Sequence, residues 1–271
     1  MTTVTLGKTG ITVNKNGFGA LPIQRITKEE AAKLLRKAYD GGITYFDTAR
    51  AYSDSEEKIG YALSDVRNHI YLATKTAAKT ADEFWKDLET SLRLLKTDCI
   101  DVYQFHNPAV CPKPGDGSGL YEAMLEAKEQ GKIRFIGITN HRMSIAEEAI
   151  ESGLYDTLQF PFNYLSTERE IALAKACAEH EMGFIAMKGL SGGLLTNSAA
   201  IYAYMAQFEN VLPIWGVQKE SELDEFLSYI GNPPELTDEL KAVIEKDQKE
   251  LAGEFCRGCG YCMPCPAGIE I

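Results

Sequence analysis

The chain alternates between short apolar segments and longer amphipathic segments, and this alternation restricts its fold more than any other feature. Segments such as HIYLATK and CIDVYQFH are rich in β-branched and aromatic residues, whereas the segments between them carry apolar residues at helical spacing. The first helix is predicted over Lys28–Asp40, with Thr27 as its N-cap and Gly41 as its stop. From Phe18 onward, about eight such strand–helix units follow one another.

Strands that are separated by helices pair in parallel through right-handed crossovers, and eight such units close into a (β/α)8 barrel. The competing fold is an open, doubly wound sheet. That fold would carry a glycine-rich phosphate turn after an early strand, and no G-x-G-x-x-G motif is found there. Before the first unit, TVTLGKTGITV predicts a β-hairpin. We therefore expect an α/β TIM barrel over residues 1–231, followed by a helical, cysteine-rich extension over residues 232–271.

Composition and charge disfavour several classes of partner. The 271 residues carry a net charge of −11, which argues against nucleic acids and anionic membranes but is compatible with a local basic pocket for a phosphate. No apolar run is long enough to cross a bilayer, and the residues after Met1 do not have the pattern of a signal peptide. The sequence therefore predicts a cytoplasmic protein.

Polar side chains end three of the predicted strands in succession. Asp47, Lys75 and His106 each lie at or just past a strand end, and Tyr52 lies in the loop after Asp47. Each has an ordinary alternative: a helix cap for Asp47, a surface position for Lys75, a hydrogen-bonded rim position for His106 and a partly buried structural role for Tyr52. Because the carboxyl ends of barrel strands open onto one face, their coincidence favours a shared site.

This set of side chains has a coherent chemistry. A carbonyl that is reduced by hydride develops negative charge on its oxygen and needs a proton, and a tyrosine phenol has an ordinary pKa near 10. A lysine ammonium beside the phenol favours the phenolate, so we expect Lys75 to lower the pKa of Tyr52, with Asp47 holding the lysine. His106 can hydrogen-bond the substrate oxygen and orient it.

The segments FDTARAY, LATK, YQFH, ITN, LQFPFN and MKGLSGGLL resemble the aldo-keto reductase superfamily, in its order and spacing, over about residues 5–229. The resemblance implies an NAD(P)H-dependent oxidoreductase (EC 1.1.1.-) that reduces a small aldehyde or ketone reversibly, binds its nucleotide first and has no Rossmann fold. It implies that Tyr52 is the general acid/base, that Lys75 and Asp47 tune it, and that His106 orients the carbonyl.

The resemblance also implies nucleotide contacts. Those predicted residues are Thr139, Asn140, Gln159, Met187, Lys188, Gly189, Leu190, Gly193, Gly216, Gln218, Glu222 and Glu225. Thr139, Asn140 and Gln159 match the contacts to the nicotinamide carboxamide, and Met187 stands where many relatives have an aromatic residue. The loop GLSGGLL matches the segment that closes over the pyrophosphate, although turn chemistry explains its glycines equally well.

The adenine side of the predicted site departs from the pattern of NADPH-dependent relatives. Gly216 and Glu222 fall where many of these relatives have a basic residue and an arginine near the 2′-phosphate, and Lys219 is the only nearby base. Glu225 matches the acid that contacts adenine. Because phosphate recognition favours bidentate cations, we expect NADH to be accepted comparably well or weakly preferred over NADPH.

Four cysteines lie at the C-terminal end with a spacing of three: Cys256, Cys259, Cys262 and Cys265. Zinc sites usually use two separated C-x-x-C knuckles, whereas a tight run followed by proline, here Pro266, resembles bacterial ferredoxin. The motif therefore favours a [4Fe–4S] cluster over zinc, with an unmetallated thiol tail as the third alternative. Some bacterial and archaeal aldo-keto reductases carry such a tail.

This cysteine run departs from ferredoxin in one spacing and in having no second cysteine set, which leaves the fourth ligand open between Cys265 and a group beyond the sequence. Relatives with this tail continue for several helices, so a chain that stops at Ile271 is expected to be truncated. We expect a structural or sensing role for the cluster, because a one-electron donor does not reduce NAD(P)+ without a radical step. The redox partner is not identified. The alternative function is a nucleotide-bound redox sensor or regulatory subunit with little turnover.

Overall fold

The computed structural model describes residues 3–251, which form ten strands and nine α-helices in that range. The strands are β1 Thr3–Thr5, β2 Thr12–Asn14, β3 Gly17–Gly19, β4 Tyr45–Asp47, β5 Tyr71–Thr76, β6 Ile100–His106, β7 Ile133–Thr139, β8 Thr157–Pro161, β9 Gly183–Met187 and β10 Val211–Gly216. The helices are α1 Lys28–Asp40, α2 Ser55–Leu63, α3 Ala81–Leu95, α4 Leu120–Glu129, α5 Met143–Ser152, α6 Glu168–Glu179, α7 Ser198–Ala206, α8 Glu220–Ser228 and α9 Asp238–Glu250.

The strands β3 to β10 pair in parallel, each with its neighbour in the chain, and β10 returns to pair with β3. Trp215 lies opposite Phe18 at this closing contact. The predicted (β/α)8 barrel is therefore confirmed. The predicted hairpin is also confirmed, because β1 and β2 pair antiparallel with Val4 opposite Val13.

Two apolar clusters divide the interior. The larger one packs the outer faces of the strands against the helices, and it includes Phe46 and Tyr103. The smaller one fills the barrel itself with residues such as Val102 and Leu212, and the hairpin adds Val4, Leu6, Ile11 and Val13 to it. Because apolar side chains of the hairpin join the barrel filling, a polar site has to form toward the carboxyl ends of the strands.

Local signals set the helix ends. Thr27 accepts from the backbone N–H of Glu30, whose side chain accepts in turn from Thr27, so the predicted N-cap of α1 is part of a capping box. Gly41 is the C-cap of this helix, as predicted. Within residues 3–251, no helix combines the length and the apolarity that a membrane span requires.

Asp47 is the last residue of β4, which agrees with its predicted place at a strand end. This carboxylate is buried rather than free to cap the next helix. The N-cap of α2 is Asp54, which excludes the capping alternative for Asp47. The four cysteines of the C-terminal run lie outside the described residues.

Candidate active site

Asp47 and Lys75 form a buried ion pair inside the barrel. The β4–β5 register places Asp47 opposite Ala73, two residues before Lys75. The Lys75 Nζ lies 2.5 Å from Asp47 Oδ1 and also donates to the carbonyl of Thr48 at 2.6 Å. Asp47 is 2% exposed and Lys75 1% exposed, so each charge is stabilised by its partner rather than by water.

Tyr52 is brought to this pair by a loop that runs along β5. The backbone N–H of Thr48 donates to the carbonyl of Ala73 at 2.8 Å, and that of Arg50 donates to the carbonyl of Lys75 at 2.9 Å. As a result, the Lys75 Nζ lies 5.3 Å from the centre of the Tyr52 ring, within reach of a cation–π contact.

His106 completes the group of four predicted residues. Its ring lies 5.8 Å from the Tyr52 ring, centre to centre, in an edge-on arrangement with an interplanar angle of 82°. The four side chains that the sequence analysis proposed for one site therefore come together at the carboxyl ends of β4, β5 and β6.

The pKa of Tyr52 differs in direction from the expectation. Burial raises it above its ordinary value, and the negative charge of Asp47 adds to the rise. The expectation that the pKa of Tyr52 lies below its ordinary value is therefore wrong, because burial and Asp47 set the direction of the shift. A raised pKa keeps the phenol protonated near neutral pH, which is the form that a proton donor requires.

His106 is neutral in this environment. Burial lowers its pKa to about 3, and the charges of Lys75 and His141 contribute to the lowering. A neutral imidazole has one N–H donor and one acceptor nitrogen, so His106 can donate a hydrogen bond without carrying charge.

Two buried glutamines surround the carboxylate. Gln104 Nε2 donates to Asp47 Oδ2 at 3.2 Å and to Gln159 Oε1 at 3.1 Å, while Gln159 Nε2 lies 3.4 Å from Asp47 Oδ1. Burial raises the pKa of Asp47, and Lys75 and these amides oppose the rise. Gln104 was not predicted from the sequence as part of the site. It could have been found from its position two residues before His106, because residues two apart in a strand lie on the same face.

A second buried carboxylate anchors the loop that carries Tyr52. Glu56, in the first turn of α2, accepts from the hydroxyls of Thr74 and Ser91 at 2.7 Å each, and it pairs with the guanidinium of Arg50. Its side chain is 1% exposed. The sequence analysis also missed this anchor, because its parts come from four separate segments.

Comparison with known proteins agrees with this geometry. Residues 15–209 match the aldo/keto reductase family. The chain belongs to that family. It is 30% identical to the aldo-keto reductase YhdN of Bacillus subtilis over 210 residues, which cover 70% of this chain and 62% of that protein. It is 29% identical to the methylglyoxal reductase DkgB of Salmonella typhimurium over 205 residues, or 70% of this chain and 74% of that protein.

The fold has solved counterparts. An aldo-keto reductase of Klebsiella pneumoniae, solved in complex with NADPH, superimposes with a TM-score of 0.76 at 22% identity and covers 90% of this chain and 94% of that one. The chain spans between 60% and 65% of the length of three relatives, YhdN among them. The matched family range ends before β10, so the predicted residues after that strand lie outside it.

Two of the residues predicted to contact the nicotinamide carboxamide lie on neighbouring strands. Thr139 ends β7, and Gln159 on β8 lies opposite it in register; both are buried. Asn140 is also buried, but Nδ2 donates to the carbonyl of Pro108 at 2.9 Å, and Oδ1 accepts from the next two backbone N–H groups. Met187 ends β9 half-buried, with its sulfur 3.8 Å from Gln159 Nε2.

The loop after β9 turns sharply. Lys188 and Ser191 have φ angles of 61° and 49°, in the left-handed region. The Lys188 carbonyl accepts from Asn163 Nδ2 at 3.0 Å and from the Ser191 N–H at 2.8 Å. The other predicted residues of this loop are Gly189, Leu190 and Gly193. A Cβ on Gly189 would lie 2.6 Å from the Trp215 ring, so the close approach of this ring requires glycine there.

The end of β10 and the residues after it are more polar and more exposed. Gly216, the last residue of β10, and Glu225 are exposed, and Gln218 is half-buried. The Glu222 carboxylate accepts from the backbone N–H groups of Gln218 and Lys219, at 3.1 and 3.2 Å. Glu222 therefore accepts from the two backbone N–H groups that immediately precede α8.

Proposed function

We propose that this protein is an NAD(P)H-dependent oxidoreductase that reduces a small aldehyde or ketone to an alcohol, reversibly. The observation that carries the proposal is the buried Asp47–Lys75 pair at 2.5 Å, with Tyr52 and His106 beside it. Burying two charges costs desolvation free energy, so a buried pair in a site indicates a function. Here the pair lies next to a phenol at the mouth of a barrel.

The side chains divide the chemistry between them. The nicotinamide supplies the hydride when it is bound. Tyr52 gives its proton to the carbonyl oxygen as negative charge develops there, and the Lys75 ammonium stabilises the phenolate that remains. Asp47 holds Lys75 and balances its charge. The neutral His106 donates a hydrogen bond that orients the carbonyl.

The residues present fit a nicotinamide ring. Gln159 is a buried amide beside the half-buried Met187, and an amide can pair with the carboxamide of the cofactor. A soft thioether can pack against the ring in place of an aromatic side chain. The NADPH in the Klebsiella pneumoniae relative and the methylglyoxal named for DkgB support a nicotinamide nucleotide and a small carbonyl substrate.

The adenine side supports the hypothesis that NADH is accepted comparably well or weakly preferred over NADPH. Glu222 places a negative charge at the N-terminal end of α8, where a phosphate could otherwise bind, and Glu225 adds another acid on this helix. A 2′-phosphate would therefore meet repulsion. Steady-state kinetics with both nucleotides test this hypothesis, and a large preference for NADPH would refute it.

The central experiment is a panel of carbonyl compounds with both nucleotides, followed by the Tyr52→Phe variant. We expect turnover by the wild-type protein and its near-complete loss in the variant, with nucleotide binding retained. The alternative, a nucleotide-bound sensor with little turnover, predicts binding without carbonyl-dependent oxidation of the nucleotide and no difference between the two proteins.

We also propose that the cysteine run binds a [4Fe–4S] cluster in a reducing, cytoplasmic environment. The run begins six residues after the end of α9, and among residues 3–251 no group of acids, histidines and cysteines is arranged to hold a metal. Iron and sulfide analysis of anaerobically purified protein tests the cluster against zinc. A lower melting temperature in Cys259→Ala would support a structural role, and unchanged melting would count against it.

A further inference from the structure

The amide of Gln104 lies at the centre of the barrel site and has no assigned role. In register, Gln104 faces Lys75 on β5 and Gly137 on β7. The side chain is fully buried. Among the described residues its Oε1 has no hydrogen-bond partner, so the hydrogen bonds of its Nε2 indicate what the side chain does.

Both hydrogens of the Gln104 amide nitrogen have an acceptor. The nitrogen Nε2 lies 3.2 Å from Asp47 Oδ2 and 3.1 Å from Gln159 Oε1. The side chain therefore bridges the carboxylate that holds Lys75 and the amide predicted to contact the nicotinamide.

This bridge determines which way the Gln159 amide faces. Because Oε1 of Gln159 accepts from Gln104, its Nε2 points to the other side, toward Asp47 Oδ1 at 3.4 Å and Met187 Sδ at 3.8 Å. The contact with Asp47 is long for an N–H···O hydrogen bond, and the thioether of Met187 is a weak acceptor. A carboxamide oxygen next to Met187 would be a stronger acceptor for the Gln159 N–H that faces the sulfur.

Gly137 leaves the space that the bridge needs. A Cβ on Gly137 would lie 2.7 Å from Gln104 Cγ and 2.5 Å from Thr157 Oγ1, which is closer than real side chains approach. Glycine inside a strand often marks such a close approach. Thr157 shares this space with Gln104, but among the described residues its hydroxyl has no hydrogen-bond partner.

We propose that Gln104 is a positioning residue, which orients the Gln159 amide toward the nicotinamide and ties it to the Asp47–Lys75 pair. This inference rests on the proposed function. It predicts that losing the Gln104 amide weakens recognition of the nicotinamide half of the nucleotide and leaves the ADP-ribose half unaffected.

The test compares Gln104→Met with Thr157→Val. The first variant removes the amide at nearly constant length, and the second removes a hydroxyl that packs against the same glycine. Calorimetric titration measures binding of the reduced nucleotide and of the matching ADP-ribose, which lacks nicotinamide. We expect Gln104→Met to raise Kd for the nucleotide about tenfold, or about 1.4 kcal/mol. Kd for ADP-ribose should stay at the wild-type value, and Thr157→Val should change neither.

An equal shift for both ligands, or no shift for the nucleotide, would overturn the inference, because a merely structural role does not distinguish the two halves. If Gln104→Met does not fold, Gln104→Asn replaces it. That variant keeps an amide but is too short to reach both acceptors, and the same outcomes apply. A wild-type protein that binds neither NADH nor NADPH would overturn the proposed function, and this inference with it. Wild-type binding with an unaffected variant would overturn the inference alone.

Discussion

Replacing Lys75 by methionine should separate stability from activity. The ammonium lies 2.5 Å from Asp47 Oδ1, and at an effective dielectric constant of about 20 their gross attraction is about 7 kcal/mol. Most of that attraction offsets the cost of burying both charges. Because removing one partner leaves a buried carboxylate without its counter-charge, we expect Lys75→Met to lower the free energy of unfolding by about 3–5 kcal/mol.

The double variant Lys75→Met with Asp47→Asn provides the control. Asparagine fills nearly the same volume and carries no charge, so most of the lost stability should return. Activity should remain absent in both variants, because the ammonium that stabilises the phenolate is missing. Denaturant unfolding of the two variants and the wild-type protein measures the first effect, and carbonyl-dependent nucleotide oxidation measures the second.

The sign of the pH dependence gives a further check. Burial already raises the pKa of Asp47, and removing Lys75 should raise it more. A carboxyl whose folded pKa lies above its unfolded value binds more protons when folded, so its folded form loses stability as pH rises between the two values. The deficit of Lys75→Met should therefore shrink as the pH is lowered from about 8 to about 5. A deficit independent of pH, or a double variant no more stable than the single one, would refute the reasoning.

Three other predictions follow from the contacts of the site. Burial lowers the pKa of His106 to about 3, so the pH profile of wild-type kcat/KM should have no inflection near pH 6.5 that comes from this residue. An inflection there that disappears in His106→Phe would contradict a neutral imidazole. Glu56→Gln weakens the pairing with Arg50 and should lower kcat several-fold with about 1–3 kcal/mol of stability lost, and unchanged kcat would count against its anchoring role. Tyr164→Phe removes a bond to Asp247 of α9 and should lower the midpoint of thermal unfolding by a few degrees, whereas Tyr204→Phe serves as its ring-matched control.

The helix bounds and the barrel were predictable because their signals are local. The capping threonine and the glycine stop of α1 directly flank the helix in the sequence. Period and propensity operate over a few residues, so they survive in any tertiary context that buries the apolar stripe. The alternation of strands and helices then left few topologies to choose from.

The site was predictable only in part. The pattern of strand ends predicted a shared site of Asp47, Tyr52, Lys75 and His106, and the resemblance to the family implied their roles. The structure brings the four together. Gln104 was missed, because nothing near it in the sequence shows that its acceptors lie 57 and 55 residues away. The buried Glu56 was missed for the same reason.

The order of residues along the chain decided which elements form and where they end, since those outcomes depend on neighbours a few positions apart. The number and alternation of these elements then favoured a closed barrel, although its closing contact joins β10 to β3 across almost the whole chain. The three-dimensional packing decided the charge states and orientations in the site. The pKa of Tyr52 rises because of burial and the charge of Asp47, and both effects depend on burial and distances that only the folded barrel sets.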